Sequence, residues 1–404
     1  MQTKETSAPA APAASRGQRY SKSHLIGLAI LVFMAGAIFG IYGNRFLART
    51  GLVTQASLTS AEQFREIRSI LQSSFNGDLD PQKQEEGALK GYVSSLGDPY
   101  TTFLSAEEAK ELSDDLRGEL SGIGIEVGIK NNLLTVIAPI DDTPAAKAGL
   151  KSGDVIARID DKDASELTLD EAVKQIRGQA GTEVKLIVVS QSAAPREVKI
   201  IRERIQVSSV KTEIKNGDVG YIRLRRFGDD TDAAIQAAAA DFASKGITKI
   251  VLDLRDNPGG YLDSAVTVSS EFVSRGTIVE ERGKHIDSKK LMATPGGKLT
   301  NAKVVILING GSASASEIVA GAVKDNNRAT LVGEKTYGKG SVQEVKNLGS
   351  GAQLKVTVAG WYTPNGVNIS KEGIKPDVAV ELTNEDANAG RDPQLDKALE
   401  IVRQ

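Results

Sequence analysis

Three serines alternate with alanines in the stretch Asn309-Gly310-Gly311-Ser312-Ala313-Ser314-Ala315-Ser316-Glu317. The apolar run Val304-Val305-Ile306-Leu307-Ile308 comes before it and reads as a buried strand, and Ile318-Val319-Ala320-Gly321-Ala322-Val323 after it suits a helix. A strand, a Gly-Gly turn and a helix start lift a small hydroxyl to the strand end. They also aim backbone N–H groups and the positive end of the helix at the same point, where an oxyanion can be stabilised. Taken alone, the stretch is more commonly a Gly/Ser turn with serine N-caps.

A second stretch changes that balance. Gly333-Glu334-Lys335-Thr336-Tyr337-Gly338-Lys339-Gly340-Ser341-Val342-Gln343 comes after another apolar strand, Thr330-Leu331-Val332. A lysine between two glycines has little local packing, can be drawn inward, and then loses pKa by desolvation until it can act as a general base. Gln343 could orient the amine by hydrogen bonding. The rest of the inventory favours a serine–lysine pair. The chain has no cysteine and only two histidines. His24 abuts a long apolar run and His285 comes just after the charged Glu280-Glu281-Arg282-Gly283-Lys284, so a Ser-His-Asp triad is not expected and a cysteine nucleophile is excluded.

Together the two stretches resemble the carboxyl-terminal-processing peptidases, also called tail-specific proteases, which are PDZ-containing serine peptidases with a Ser-Lys-Gln set. The resemblance implies Ser314 as nucleophile, Lys339 as general base and Gln343 as the residue that positions the lysine. Leu252-Asp253-Leu254-Arg255-Asp256-Asn257-Pro258-Gly259-Gly260 resembles the family's Leu-Arg-x-Asn-x-Gly-Gly segment. It implies an oxyanion hole built from the N–H groups of Gly260 and Ala315. The resemblance runs from about Ser57 onward. The fold it implies is multidomain α/β and α+β, with a transmembrane helix, a helical segment, a PDZ domain and a layered, crotonase-like α/β peptidase domain.

The elements that must carry these residues can be read in order. In a chain of 404 residues there is room for two or three domains, and 50 Lys+Arg against 52 Asp+Glu leave a net charge of −2. That balance gives no electrostatic reason to expect nucleic-acid binding. No cysteine and two scattered histidines make disulfides impossible and a zinc site unexpected; no cofactor is called for. Residues 1–24 are rich in Ala, Pro and Ser and read as a disordered tail. Residues 25–43 are apolar and uncharged, long enough to cross a bilayer, and longer than the core of a cleaved signal peptide. Lys4, Arg16, Arg19 and Lys22 favour an inside N-terminus, with the bulk of the protein on the extracytoplasmic side of the cell membrane.

Residues 44–116 read as helical, from Phe64, Ile67, Ile70 and Leu71 at helical spacing and from a helix closed by Gly97. The family implies that this segment helps pair subunits, hence a homodimer or a higher homo-oligomer. Residues 117–206 look like a PDZ domain, in which a peptide adds a strand to a sheet edge and backbone N–H groups hold its terminal carboxylate. Gly122-Ile123-Gly124-Ile125 matches the carboxylate-binding loop, which implies protein or peptide partners with apolar C-terminal tails. Arg177 is a candidate for coupling that domain to catalysis; a solvated helix-end charge explains it as well. Residues 207–384 alternate strands and helices, the pattern of a layered α/β domain with active groups at strand ends, and residues 385–404 close with a short amphipathic helix. A membrane-anchored PDZ scaffold with an inert catalytic domain is the alternative from another class; a hydrolase of lipid or acyl esters is a second.

Overall fold

The computed structural model describes residues 27–36, 55–140, 142–190 and 194–404. The chain divides into two compact units, Met1–Glu85 and Glu86–Gln404. In the first, residues 27–36 are helical and exposed. A second helix spans Gln55–Ser74. Among the described residues no helix is long and apolar enough to cross a membrane. The expected tail at 1–24 lies outside the described residues, as does the 25–43 span apart from 27–36.

The helix Pro81–Ser94 leads through Gly97, at φ 71°, to a short strand Thr102–Leu104 and the helix Ala106–Arg117. Ser105 and Glu108 form a capping box at the start of that helix, and Gly118 in the left-handed region ends it. A small β-domain comes next in the chain. Its main sheet runs Ile125–Lys130, Leu133–Pro139, Val155–Ile159, Glu183–Val189, Arg196–Ile201, with Lys162–Asp163 paired to the third strand. Val184, Leu186 and Val188 alternate inward and are fully buried against Val136, Ile156 and Ile159. The helix Leu169–Ile176, opened by a Thr168–Glu171 capping box, lies beside the first strand.

The larger domain is built on a six-stranded sheet. Its order is Val210–Lys215, Val219–Leu224, Lys249–Asp253, Lys303–Ile308, Ala329–Gly333, Val378–Ala379, parallel throughout except for the first pair. The central strands Lys249–Asp253 and Lys303–Ile308 are covered on both faces, which is why they read as apolar runs, whereas the edge strand Val210–Lys215 is polar and largely exposed. Val304, Ile306 and Ile308 join the core under the helices Thr231–Ser244, Leu262–Ser270 and Ala315–Asp325. Val305 and Leu307 face the other way, against Ala398 and Val402 of the C-terminal helix Pro393–Arg403. A second, antiparallel sheet carries Ser341–Asn347 against Gln353–Tyr362. Trp361 is buried in the core. Three parallel strands end on the same side, and the loops after Asp253, Ile308 and Gly333 meet there.

Candidate active site

The serine turn is held by its neighbours in both strand directions. Ser312 Oγ donates to the Leu254 carbonyl at 2.8 Å, and Ser316 Oγ donates to the Asn257 carbonyl at 2.9 Å; both residues are fully buried. Ala313 N donates to the same Asn257 oxygen at 3.0 Å. Two of the three serines therefore fasten the turn to the Leu254–Asn257 loop, and only Ser314 lines the open cavity. Its backbone sits at φ 54°, ψ −114°, a conformation that a non-glycine residue adopts only when its surroundings enforce it. Enforcement comes from Asn309, whose Oδ1 accepts from Asp256 N and Gly311 N at 2.9 and 3.0 Å, and from Glu317.

In the sequence Glu317 reads only as the end of the motif, and the structure gives it a larger part. It is fully buried, and its two oxygens accept four hydrogen bonds: Oε1 from Thr336 Oγ1 at 2.6 Å and Gly338 N at 2.7 Å, Oε2 from Ser314 N and Lys339 N, both at 2.9 Å. Four donors and nothing to donate to is the binding set of a carboxylate anion. One side chain thus pins the serine turn to the lysine loop. A glutamate at the third position of the helix is the local signal for a capping box; its reach to residues 336–339 is a tertiary fact with no local signature.

Lys339 lies in the same cavity as Ser314. Trp361 Nε1 donates to the Lys339 carbonyl at 2.8 Å, which fixes the loop. A Cβ on Gly340 would lie 2.7 Å from Ser370 N, so the flanking glycine is needed for close approach. Burial lowers the Lys339 amine to about 8, and the nearby charge of Lys355 acts in the same direction; Glu317 and Asp98 oppose both. Gln343 lines the cavity too, but its Nε2 donates to Ser341 Oγ at 2.8 Å and Thr357 Oγ1 at 3.3 Å. The direct Gln343–Lys339 hydrogen bond suggested by the sequence is not formed.

The glycine loop completes the site. A Cβ on Gly259 would lie 2.8 Å from Ser314 Cβ and 2.9 Å from Ala315 N, so the loop and the serine turn are in contact. Gly259 N donates to Asn257 Oδ1 at 2.9 Å. Among the described residues, no hydrogen bond is made by the amides of Gly260 and Ala315, the two that the sequence singled out. All of these groups border one cavity of about 700 Å³, whose apolar wall includes Leu112, Leu116, Leu262 and Ile318.

Behind the loop lies an ion network that the sequence did not reveal. Arg255 Nη2 donates to Asp253 Oδ2 at 2.7 Å and to Asp392 Oδ2 at 2.9 Å, and Tyr221 Oη and Arg223 Nη1 converge on the same Asp253 oxygen. Burial alone would raise the Asp253 carboxyl, but the hydrogen bonds and charge of Arg255 hold it below the ordinary range.

In the β-domain, Gly122, Ile123, Gly124 and Ile125 line a second cavity of about 180 Å³, with Val173 and Ile176 of the helix opposite. Ile123 is 1 % exposed and belongs to the core, so Ile125 is the more open of the two isoleucines. Among the described residues, the amides of Ile123 and Gly124 make no hydrogen bond. Arg177 borders both cavities, and its Nη1 lies 3.4 Å from Asp115 Oδ1. Both partners are half-exposed, so that pair adds little stability.

Residues 218–380 match the peptidase family S41 and residues 111–189 match the PDZ domain. The carboxy-terminal-processing protease of Bartonella bacilliformis is 42% identical over 372 residues, covering 89% of this chain and 85% of that one. A probable CtpA-like serine protease of Staphylococcus aureus is 38% identical over 362 residues, covering 89% of this chain and 72% of that one. Among solved structures, the photosystem II D1 C-terminal processing protease aligns at 30% identity with a TM-score of 0.50, covering 78% of this chain and 86% of that one. With relatives this similar over nearly the whole length, the chain belongs to peptidase family S41 and is a PDZ-containing serine peptidase of the carboxy-terminal-processing group.

Proposed function

We propose that this peptidase is an endopeptidase whose chemistry runs on Ser314 and Lys339. Neutral Lys339 takes the hydroxyl proton as Ser314 attacks the scissile carbonyl, and returns it to the leaving amine. The Gly260 and Ala315 N–H groups receive the oxyanion of the tetrahedral intermediate. Gln343, whose amide donates to Ser341 and Thr357 beside the lysine loop, is the residue that positions the lysine. The observation that carries this reading is the pairing, in one cavity, of a strained, half-buried serine with a lysine held near pKa 8. Ser314→Ala and Lys339→Ala are tested on an unfolded protein substrate with an apolar tail, and each should lower cleavage by at least about 10³-fold. Cleavage retained by either variant refutes the pair, and an inert wild type would favour the scaffold alternative.

The reading extends to substrate capture. The free amides of Ile123 and Gly124 at the mouth of an apolar groove suit a substrate's terminal carboxylate and its last apolar side chain. Amidating the C-terminus of a tail peptide should raise KM far more than it lowers kcat. Arg177, bordering both cavities, is the natural link between tail binding and catalysis. The run 25–43 anchors the protein as a single-pass span with the peptidase on the extracytoplasmic side, and the exposed helix Gln55–Ser74 pairs subunits. Both are supported by sequence hydropathy and by the apolar residues that helix exposes.

A further inference from the structure

One more segment reaches the reaction centre, and it comes from before the PDZ domain. Asp98-Pro99-Tyr100-Thr101 runs into the strand Thr102–Leu104, which pairs antiparallel with Gln353–Tyr362 so that Thr102 faces Lys355. The turn is cross-braced. The Asp98 carboxylate accepts from Tyr100 N at 3.2 Å and from Thr101 Oγ1 at 2.5 Å. Thr101 Oγ1 accepts from Thr357 N at 3.0 Å, and the Thr357 hydroxyl also interacts with Asp98. Thr357 Oγ1 is the atom to which Gln343 donates at 3.3 Å, so Thr357 connects the Asp98 turn to Gln343. On the other side of the turn, the Tyr100 ring faces Lys339, with Nζ 5.3 Å from its centroid. The Tyr100 phenol lies beside that of Tyr337, in the lysine loop itself.

We propose that the Asp98–Thr101 turn backs the active-site lysine from outside the cavity, with Tyr100 a positioning residue that holds the Lys339 amine against its ring face and Asp98 linking that ring to Gln343 through Thr357. The proposal rests on the serine–lysine reading of the site. A cation over an aromatic face is drawn to it by the ring quadrupole, and the same ring keeps water from one side of the amine. Other charges also act on the amine: Asp98 from the turn, Glu317 from the Ser314 helix and Lys355 from the strand. Asp115, Arg177, Arg225 and Arg226 border the same cavity farther along. Tyr100 itself does not border the cavity, so its effect falls on the lysine and not on substrate binding. The site is then complete only when the strand Thr102–Leu104 is docked on its sheet.

The test titrates Lys339 directly, by competitive labelling with trace acetic anhydride across pH, read on the Lys339 peptide by mass spectrometry. It uses the full chain carrying Ser314→Ala and needs no turnover, so an inert enzyme would defeat the serine–lysine reading while leaving this test decisive. Tyr100→Leu keeps an apolar cover but removes the ring face. It should lower the Lys339 titration by roughly half a pH unit. In the Ser314 protein it should lower kcat about tenfold with KM changed less than twofold. Tyr100→Phe, which keeps the ring, should titrate as the unmodified residue does. Asp98→Asn removes a nearby negative charge and should also lower the titration; it is the arm that decides if the leucine variant melts early. A Lys339 titration unmoved by both Tyr100→Leu and Asp98→Asn overturns the proposal, as does a phenylalanine variant that shifts as far as the leucine one.

Discussion

At the scale of single residues, the charges around Lys339 make opposite demands, and this gives signs that can be measured. Burial, with Lys355 behind it, lowers the amine to about 8, while Glu317 and Asp98 favour the ammonium. In the mechanism proposed above Lys339 takes the proton as a neutral amine, so kcat/KM should rise with pH through a midpoint near 8. Lys355→Met removes a like charge and should move that midpoint upward; Glu317→Gln removes an opposite charge and should move it downward. A pH–rate profile of the two variants beside wild type checks both directions. Glu317→Gln should also lower kcat at least about tenfold. An amide has one acceptor oxygen where four donors converge, and its NH2 would face either the amides of Ser314 and Lys339 or the Thr336 hydroxyl and the Gly338 amide. The choice of Ser314 among three serines also belongs to this scale. Their spacing in sequence is uniform, and only the long-range bonds of Ser312 and Ser316 to the glycine loop leave the middle hydroxyl available.

At the scale of elements, close approach decides which changes the site tolerates. A Cβ on Gly260 would lie 2.0 Å from the Phe227 carbonyl, and its φ of 140° is strained for any other residue. Gly260→Ala should therefore displace the loop that carries the amide proposed for the oxyanion, lowering kcat by about 10²–10³-fold, as loss of one such donor does. A fluorogenic peptide assay and a thermal melt on the same preparation would separate lost chemistry from lost fold. Much of this layer is legible in the sequence. Val304–Ile308 and Ile250–Leu252 announce buried parallel strands by their short apolar runs, and glycines mark where backbone meets backbone. The hidden part is held by partners distant in sequence. Glu317 looks like an ordinary helix cap, Arg255 like a solvated charge and Tyr100 like part of a turn, because Thr336, Asp392 and Lys339 come beside them only through folding. Gln343 shows the same limit from the other side. Its residue type is right for orienting an amine, but the register that sets it opposite Thr357 gives its amide to Ser341 and Thr357.

At the scale of the whole molecule, the helix Gln55–Ser74 carries an unburied apolar face. Phe64 is 62 % exposed, Ile67 57 %, Ile70 54 % and Leu71 37 %, all on residues spaced to share one side of the helix. Burying a large apolar side chain is worth about 1.5–3 kcal/mol, so four left in water on one face is a persistent cost for a monomer. A second copy of the same helix offers the self-complementary surface that two-fold pairing requires. Phe64→Glu with Ile67→Glu should convert a dimer to a monomer, read by light scattering on the eluted protein, without moving the melting transition of the peptidase domain. A wild type that elutes as a monomer at every concentration would remove the pairing role and leave that face to the membrane surface, where an exposed apolar helix beside an anchor can also lie.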